Sequence, residues 1–178
     1  MGQYFKPIIG HNENGKFVCD AFVHPHEYDN GLKLMEHSYI GNAVVGAIEN
    51  LLNGKYKGSL LVWAGDYAGN EKDSEGNLYD LLYENTRLNM TNVPKKHFRF
   101  AVNETKKEYV DTDKVKADSY GYKIHPVPLL CAEGNGSGSG DYYGTNMKFV
   151  GTWARDVITF SDEQPADYKE IEPQFEEK

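Results

Sequence analysis

Residues 59–64, SLLVWA, form an unbroken apolar run held between Gly58 and the Gly65–Asp66 pair. Six residues is strand length and far short of the ~18 apolar residues a membrane helix needs. A strand without polar alternation is buried on both faces, so this run predicts a central strand around which the chain must be arranged. Residues 4–9 and 16–23 are β-rich and flank HNENG, which predicts a hairpin closed at Gly15.

One helix is legible. Ile40, Val44, Ala47, Ile48, Leu51 and Leu52 fall on one helical face, with Ser38 as the expected N-cap and Gly54 as the stop. Gly41 and Gly46 weaken that helix and point to close packing against a sheet. Residues 78–88 predict a second, shorter helix. Residues 97–102 and 108–110 predict a hairpin joined by NETKK. Residues 122–132 read as an edge strand or a bulge, because Pro126 and Pro128 cannot donate to a ladder. Residues 148–160 supply one or two closing strands. The sum is a single α+β domain over 1–160, with about seven strands in a mostly antiparallel or mixed sheet and two helices.

Charge narrows the function classes. The chain has 178 residues and a net charge of -8. Residues 161–178 hold seven acids and two lysines, which leaves 20 acids and 17 bases over the first 160 residues. With two prolines and no apolar period, 161–178 reads as an acidic, flexible tail. It serves solubility, or docks on a basic partner. No basic patch suits general nucleic-acid binding, and no segment suits a membrane span. Cys19 and Cys131 sit in apolar runs without a CxxC, so they read as free thiols in a reducing cytoplasm.

Three constellations could carry chemistry. His24 and His26, with His37 nearby, could form a metal site with a carboxylate, although their spacing fits no zinc motif; ordinary loop hydrogen bonding is the plain reading. Asp66 ends the central strand. If Asp156 stood beside it, the pair could work as acid and base or hold a divalent ion, with His125 a further candidate; the plain reading is a turn cap. The glycine-rich stretch 134–141 could form an anion nest from Asn135 to Asp141, yet it lacks the lysine and following helix of a P-loop. Thirteen tyrosines add ring surface, and Tyr28, Tyr67, Tyr142 and Tyr143 fall in predicted loops, where an interface explains them better than a core. LVWAGD at 61–66 echoes GTWARD at 151–156, an old duplication or, as the plainer reading, a chance likeness of two strand endings; Trp153 and Arg155 are further candidate binding residues. No nucleophile elbow stands in a strand–turn–helix setting. These features favour binding over catalysis and require no cofactor or bound metal.

The segments MGQYFK, NGLKLMEHS, VWAGDYA, TKKEYVD, IHPVPLL and GNGSGSGDYYG together resemble a small uncharacterised family of bacterial and bacteriophage proteins. Glu104 stands where that pattern commonly has His, and Ser137 where it has Arg. The resemblance implies a phage-type accessory protein of the host cytoplasm, non-catalytic, in a counter-defence role. It would occlude a host protein or sequester a nucleotide-like ligand through Tyr28, Asp66, Tyr67, Asn135, Asp141, Tyr142, Tyr143, Trp153 and Arg155. The competing expectation is a small metal-dependent hydrolase built on His24, His26, His37, Asp66 and Asp156.

Overall fold

The computed structural model describes residues 1–82, 86–88 and 93–178. The expected hairpin forms from β1 (Phe5–Glu13) and β2 (Lys16–Phe22). Asn14 and Gly15 both have positive φ, 51° and 78°, which is the mirror-image turn that suits the right-handed twist of paired strands. The register shifts at Gly10, leaving Asp20 as the extra residue of a bulge.

The apolar run becomes β3 (Leu60–Gly65), and it is central. Leu61 and Trp63 face the larger core, while Val62 and Ala64 face a second cluster on the other side. The hairpin of β4 (Phe100–Asn103) and β5 (Glu108–Asp111) also forms. With β6 (Ala132–Glu133), β7 (Asp156–Ser161) and β8 (Lys169–Glu170), the strands make one sheet in the order β2-β1-β3-β7-β4-β5-β8, with β6 beside β3. Pairing is antiparallel except for β3 with β6 and β5 with β8. This is the single-sheet, mostly antiparallel α+β architecture expected.

Helices differ from expectation in four places. A one-turn helix α1 (Leu34–His37) lies in a segment read as loop. The main helix α2 (Ala43–Asn53) starts later than expected, because Asn42, not Ser38, caps it through a side-chain bond to the Val44 N–H. Ser38 instead donates to Leu34 O at 2.6 Å. Gly46 does mark close packing, but against backbone rather than the sheet: a Cβ there would lie 2.9 Å from Lys95 O. The expected strand over 122–132 is instead helix α3 (Pro126–Leu130), capped by His125, because a proline in the first helical turn loses no bond the helix would make. The expected helix over 78–88 lies partly outside the described residues, and residues 78–81 form turns.

Two faces of the sheet are therefore covered differently. Val44, Ile48 and Leu52 of α2, with Leu129 and Leu130 of α3, cover the large core. The other face, Ile8, Phe22, Val62 and Ala64, is capped by Leu78 with Tyr79 and Leu82 at its margin. Among the described residues, no helix is long and apolar enough to cross a membrane.

The acidic segment 161–178 is docked, not free. Ile171 N bonds Tyr109 O at 2.9 Å, Lys114 pairs with Glu170 at 2.6 Å, and Phe175 is buried edge-on against Tyr142. Its composition suggested disorder, but Ile171 and Phe175 supply enough apolar surface to anchor it.

Candidate functional site

β7 leaves β3 after Leu61, and β6 takes over beside Trp63. Arg155 sits at that fork. Its N–H bonds Leu61 O at 2.8 Å, and its φ is 65°, a left-handed backbone few residues adopt. Its guanidinium clamps two carboxylates. Nε and Nη2 reach Glu133 at 2.6 and 3.0 Å, and Nη1 reaches Glu71 at 3.0 Å while Nη2 also contacts it. Burial alone would lower the Arg155 pKa, but the two carboxylates raise it above its ordinary value. The clamp ties the loop that follows β3 to the sheet. Above it lies Phe17, 5.6 Å from the guanidinium carbon to the ring centre.

That loop, β2 and residues 78–82 enclose a cleft of about 880 Å3. Such a volume lies in the range of ligand sites. Phe17, Cys19, Leu78, Leu81 and Leu82 give it apolar walls, and Lys16, Asn70, Lys72, Asp73 and Ser74 ring it with polar groups. Of the binding residues expected from the sequence, only Arg155 lines it. The β-rich run beside the HNENG turn places Phe17 on β2; nothing local shows that residues 69–82 fold over it.

Of the expected catalytic set, His24 and His26 stand together with ring centres 5.1 Å apart, but no third member completes a ligand cluster with them among the described residues. His37 is fully buried: Trp63 Nε1–H donates to its Nε2 at 2.9 Å, so its Nδ1–H must donate to Gly31 O at 3.0 Å. Burial holds it neutral, with its pKa lowered to about 4. His24 accepts the His26 N–H and caps a turn; burial, then Lys6 and Arg87, lower its pKa to about 4. Asp66 accepts the Tyr4 N–H at 2.9 Å, and Asp156 is held by Asn103 at 2.8 Å and by Lys106. Asp156 registers with Leu61 while Asp66 follows Gly65 at the far end of β3, about 16 Å away at ~3.3 Å per residue. The two Trp segments are also not equivalent, since Trp63 lies mid-strand and Trp153 in the turns before β7.

The expected tyrosine and glycine-loop surface is mostly internal. Tyr142 and Trp153 are fully buried, and Trp153 Nε1–H donates to Glu108 at 3.0 Å. Asn135 clamps the Tyr142 backbone at both ends. An anion nest does exist, but Asp141 fills it: its Oδ2 accepts N–H groups from Gly136, Ser137 and Gly138 at 2.8, 2.9 and 3.0 Å. Tyr67 and Tyr143 are exposed, and Tyr28 is half-buried beneath Lys95. Both cysteines are free thiols.

A cluster that no local motif announced joins Glu49, His97 and His125. Their ligand atoms lie within 4.8 Å of one another, a geometry that invites a metal. Proton inventory argues for a hydrogen-bond network instead. His125 Nδ1 accepts the Val127 N–H that caps α3, so its Nε2 carries hydrogen and donates to Glu49 at 3.3 Å. Thr112 donates its only hydroxyl proton to Arg99 O, so it accepts from His97 Nε2 at 3.1 Å. His97 Nδ1, 3.0 Å from Glu49, must then donate as well, which makes His97 an imidazolium. The Glu49 hydrogen bond accordingly raises the His97 pKa. Burial pushes the Glu49 carboxyl up, but the two histidines more than offset it. Although the order acid–histidine–hydroxyl mimics a catalytic triad, Thr112 is buried and its proton points away from His97.

His37 gives a pH prediction. Its folded pKa is depressed below 6.5, so the stability it contributes is complete above 6.5 and falls away toward pH 4. The expected loss over that window is about 3 kcal/mol. An NMR titration should find the His37 ring still neutral at pH 5, and a midpoint above 6 would contradict this.

No family model, curated protein or solved structure matches the chain.

Proposed function

We propose that this chain is a non-catalytic binding protein of the phage-accessory kind, which occludes a host protein through the cleft beside β2. The observation that carries the reading is the cleft itself: about 880 Å3, with apolar walls and a polar rim anchored by the Arg155 clamp. What supports binding over hydrolysis is that His24, His37, Asp66 and Asp156 are each committed to structural hydrogen bonds, with Asp66 and Asp156 at opposite ends of β3.

The test places a photo-cross-linker at position 81, in the cleft wall, and at Tyr120, which is outside it and 85% exposed. Position 81 should capture one discrete protein from a bacterial lysate, and Lys16→Glu with Lys72→Glu should abolish capture. Equal labelling from both positions would sink the reading. A second reading, sequestration of a nucleotide-like ligand, is favoured by the Phe17 ring, which lines the same cleft as Lys16 and Lys72. A panel of mono-, di- and cyclic nucleotides should then contain one that raises Tm by several degrees and is recovered unchanged.

A further inference from the structure

The cleft runs along the edge of the sheet. Four consecutive residues of β2, Lys16, Phe17, Val18 and Cys19, line it, and β2 is a terminal strand. The two-residue turn makes Glu13 and Lys16 a hydrogen-bonded pair, and antiparallel alternation makes His11 and Val18 the next. The N–H and C=O groups of Phe17 and Cys19 therefore point outward, and they meet no partner among the described residues. Farther along, the same edge is already closed by the chain itself. Phe22 bridges Arg87 in parallel, and Leu88 N bonds Phe22 O at 3.3 Å. The covering segment reaches as far as the Cys19 side chain, whose Sγ lies 3.7 Å from Thr86 Oγ1, and the bulge at Asp20 lies between Cys19 and the bridged Phe22.

An open edge in a soluble fold is normally blunted, because it pairs with any available strand. Here it forms one wall of a groove whose opposite wall is Leu78, Leu81 and Leu82. The charge beside it is also unusual for this chain. Lys16 and Lys72 have no ion-pair partner among the described residues, against one unpaired acid, Asp73, in a chain of net charge -8.

We infer that the cleft takes an extended segment of a partner protein, which adds as a strand to Lys16–Cys19. It makes main-chain bonds to Phe17 and Cys19, lays alternate apolar side chains on Leu78, Leu81 and Leu82, and sets a carboxylate against Lys16 and Lys72. Main-chain pairing supplies affinity and the alternating pockets supply selectivity. The inference rests on the reading of the cleft as the binding surface and specifies the partner's chemistry.

The experiment uses the full 15N-labelled chain and synthetic octapeptides with Val, Ile or Phe at alternate positions and Asp or Glu between them. Matched peptides carry Lys in place of the acids, or N-methyl groups on the pairing residues. The acidic peptides should slow exchange of the Phe17 and Cys19 amides at least tenfold. The lysine and N-methylated peptides should bind at least tenfold more weakly, as should the acidic peptides to Lys16→Glu with Lys72→Glu. Protection confined to residues 69–82, with N-methylation harmless, would overturn strand addition while leaving the cleft as a binding site. Absence of binding by every peptide would also overturn it, and the cross-linking at position 81 then decides the cleft reading separately. Concentration-dependent protection of Phe17 and Cys19 without peptide would overturn it in favour of pairing between two copies.

Discussion

Replacing Glu49 by Ala is expected to lower folding stability by about 3–5 kcal/mol, a large part of a typical domain's total. The carboxylate is almost wholly buried and accepts from His97, His125 and the Phe98 N–H. Its removal leaves a charged imidazolium and two further donors without an acceptor. Glu49→Gln is the sharper probe. The amide keeps the shape, its oxygen accepts from His125 and Phe98, and its NH2 group can donate to a neutral His97. The loss should therefore be smaller, about 1–2 kcal/mol.

The sign of the pH dependence should also change. In the parent, the folded pKa of His97 is raised above 6.5, so its contribution is complete below 6.5 and is lost as pH rises through the folded value. In Glu49→Gln the amide donor opposes protonation, the folded pKa falls, and stability is lost as pH drops through 6.5. Urea unfolding from pH 9 to pH 5 should show the gap between variant and parent widening toward acid. A constant gap would mean that His97 carries no charge in the parent.

This network shows where reading the chain residue by residue stops. Positions 49, 97 and 125 belong to α2, the approach to β4 and the cap of α3, and no spacing rule connects them. The hairpin, β3 and α2 were legible because each is specified locally: a turn with two positive-φ residues, an apolar run, and an apolar helical face. The 122–132 segment was misread because its prolines fit two rules at once, exclusion from a ladder and acceptance in a first helical turn. His125 decides between them by capping α3 with its ring nitrogen. The predicted site failed for a related reason. Polar residues at strand ends and in glycine-rich turns have backbone groups to satisfy, and Asp141, Asn135 and Asp66 are used for that. The cleft needed the fold first, since it joins β2 to a loop that follows β3 some fifty residues later.

The C-terminal segment carries the last large effect. Phe175 packs its ring on Tyr142 at 5.3 Å between centroids, and the Tyr142 hydroxyl donates to Thr145 O at 2.6 Å while accepting the Glu176 N–H at 3.0 Å. Phe175→Ala should destabilise by about 3–5 kcal/mol, the usual range for emptying a buried aromatic site. Truncation after residue 167 should do more, because it also removes β8 and leaves Tyr142 facing solvent. The acidic character of the segment matters less. Lys114 with Glu170 and Glu172 is partly exposed, so such pairs contribute little and weaken in salt. Urea unfolding in 0.5 M NaCl should therefore move the parent by less than ~1 kcal/mol, whereas the Phe175 variant loses several. If the truncated chain kept the parent's Tm, the packing of this segment would contribute nothing to stability, and its acids would be left with the solubility or docking role their composition suggests.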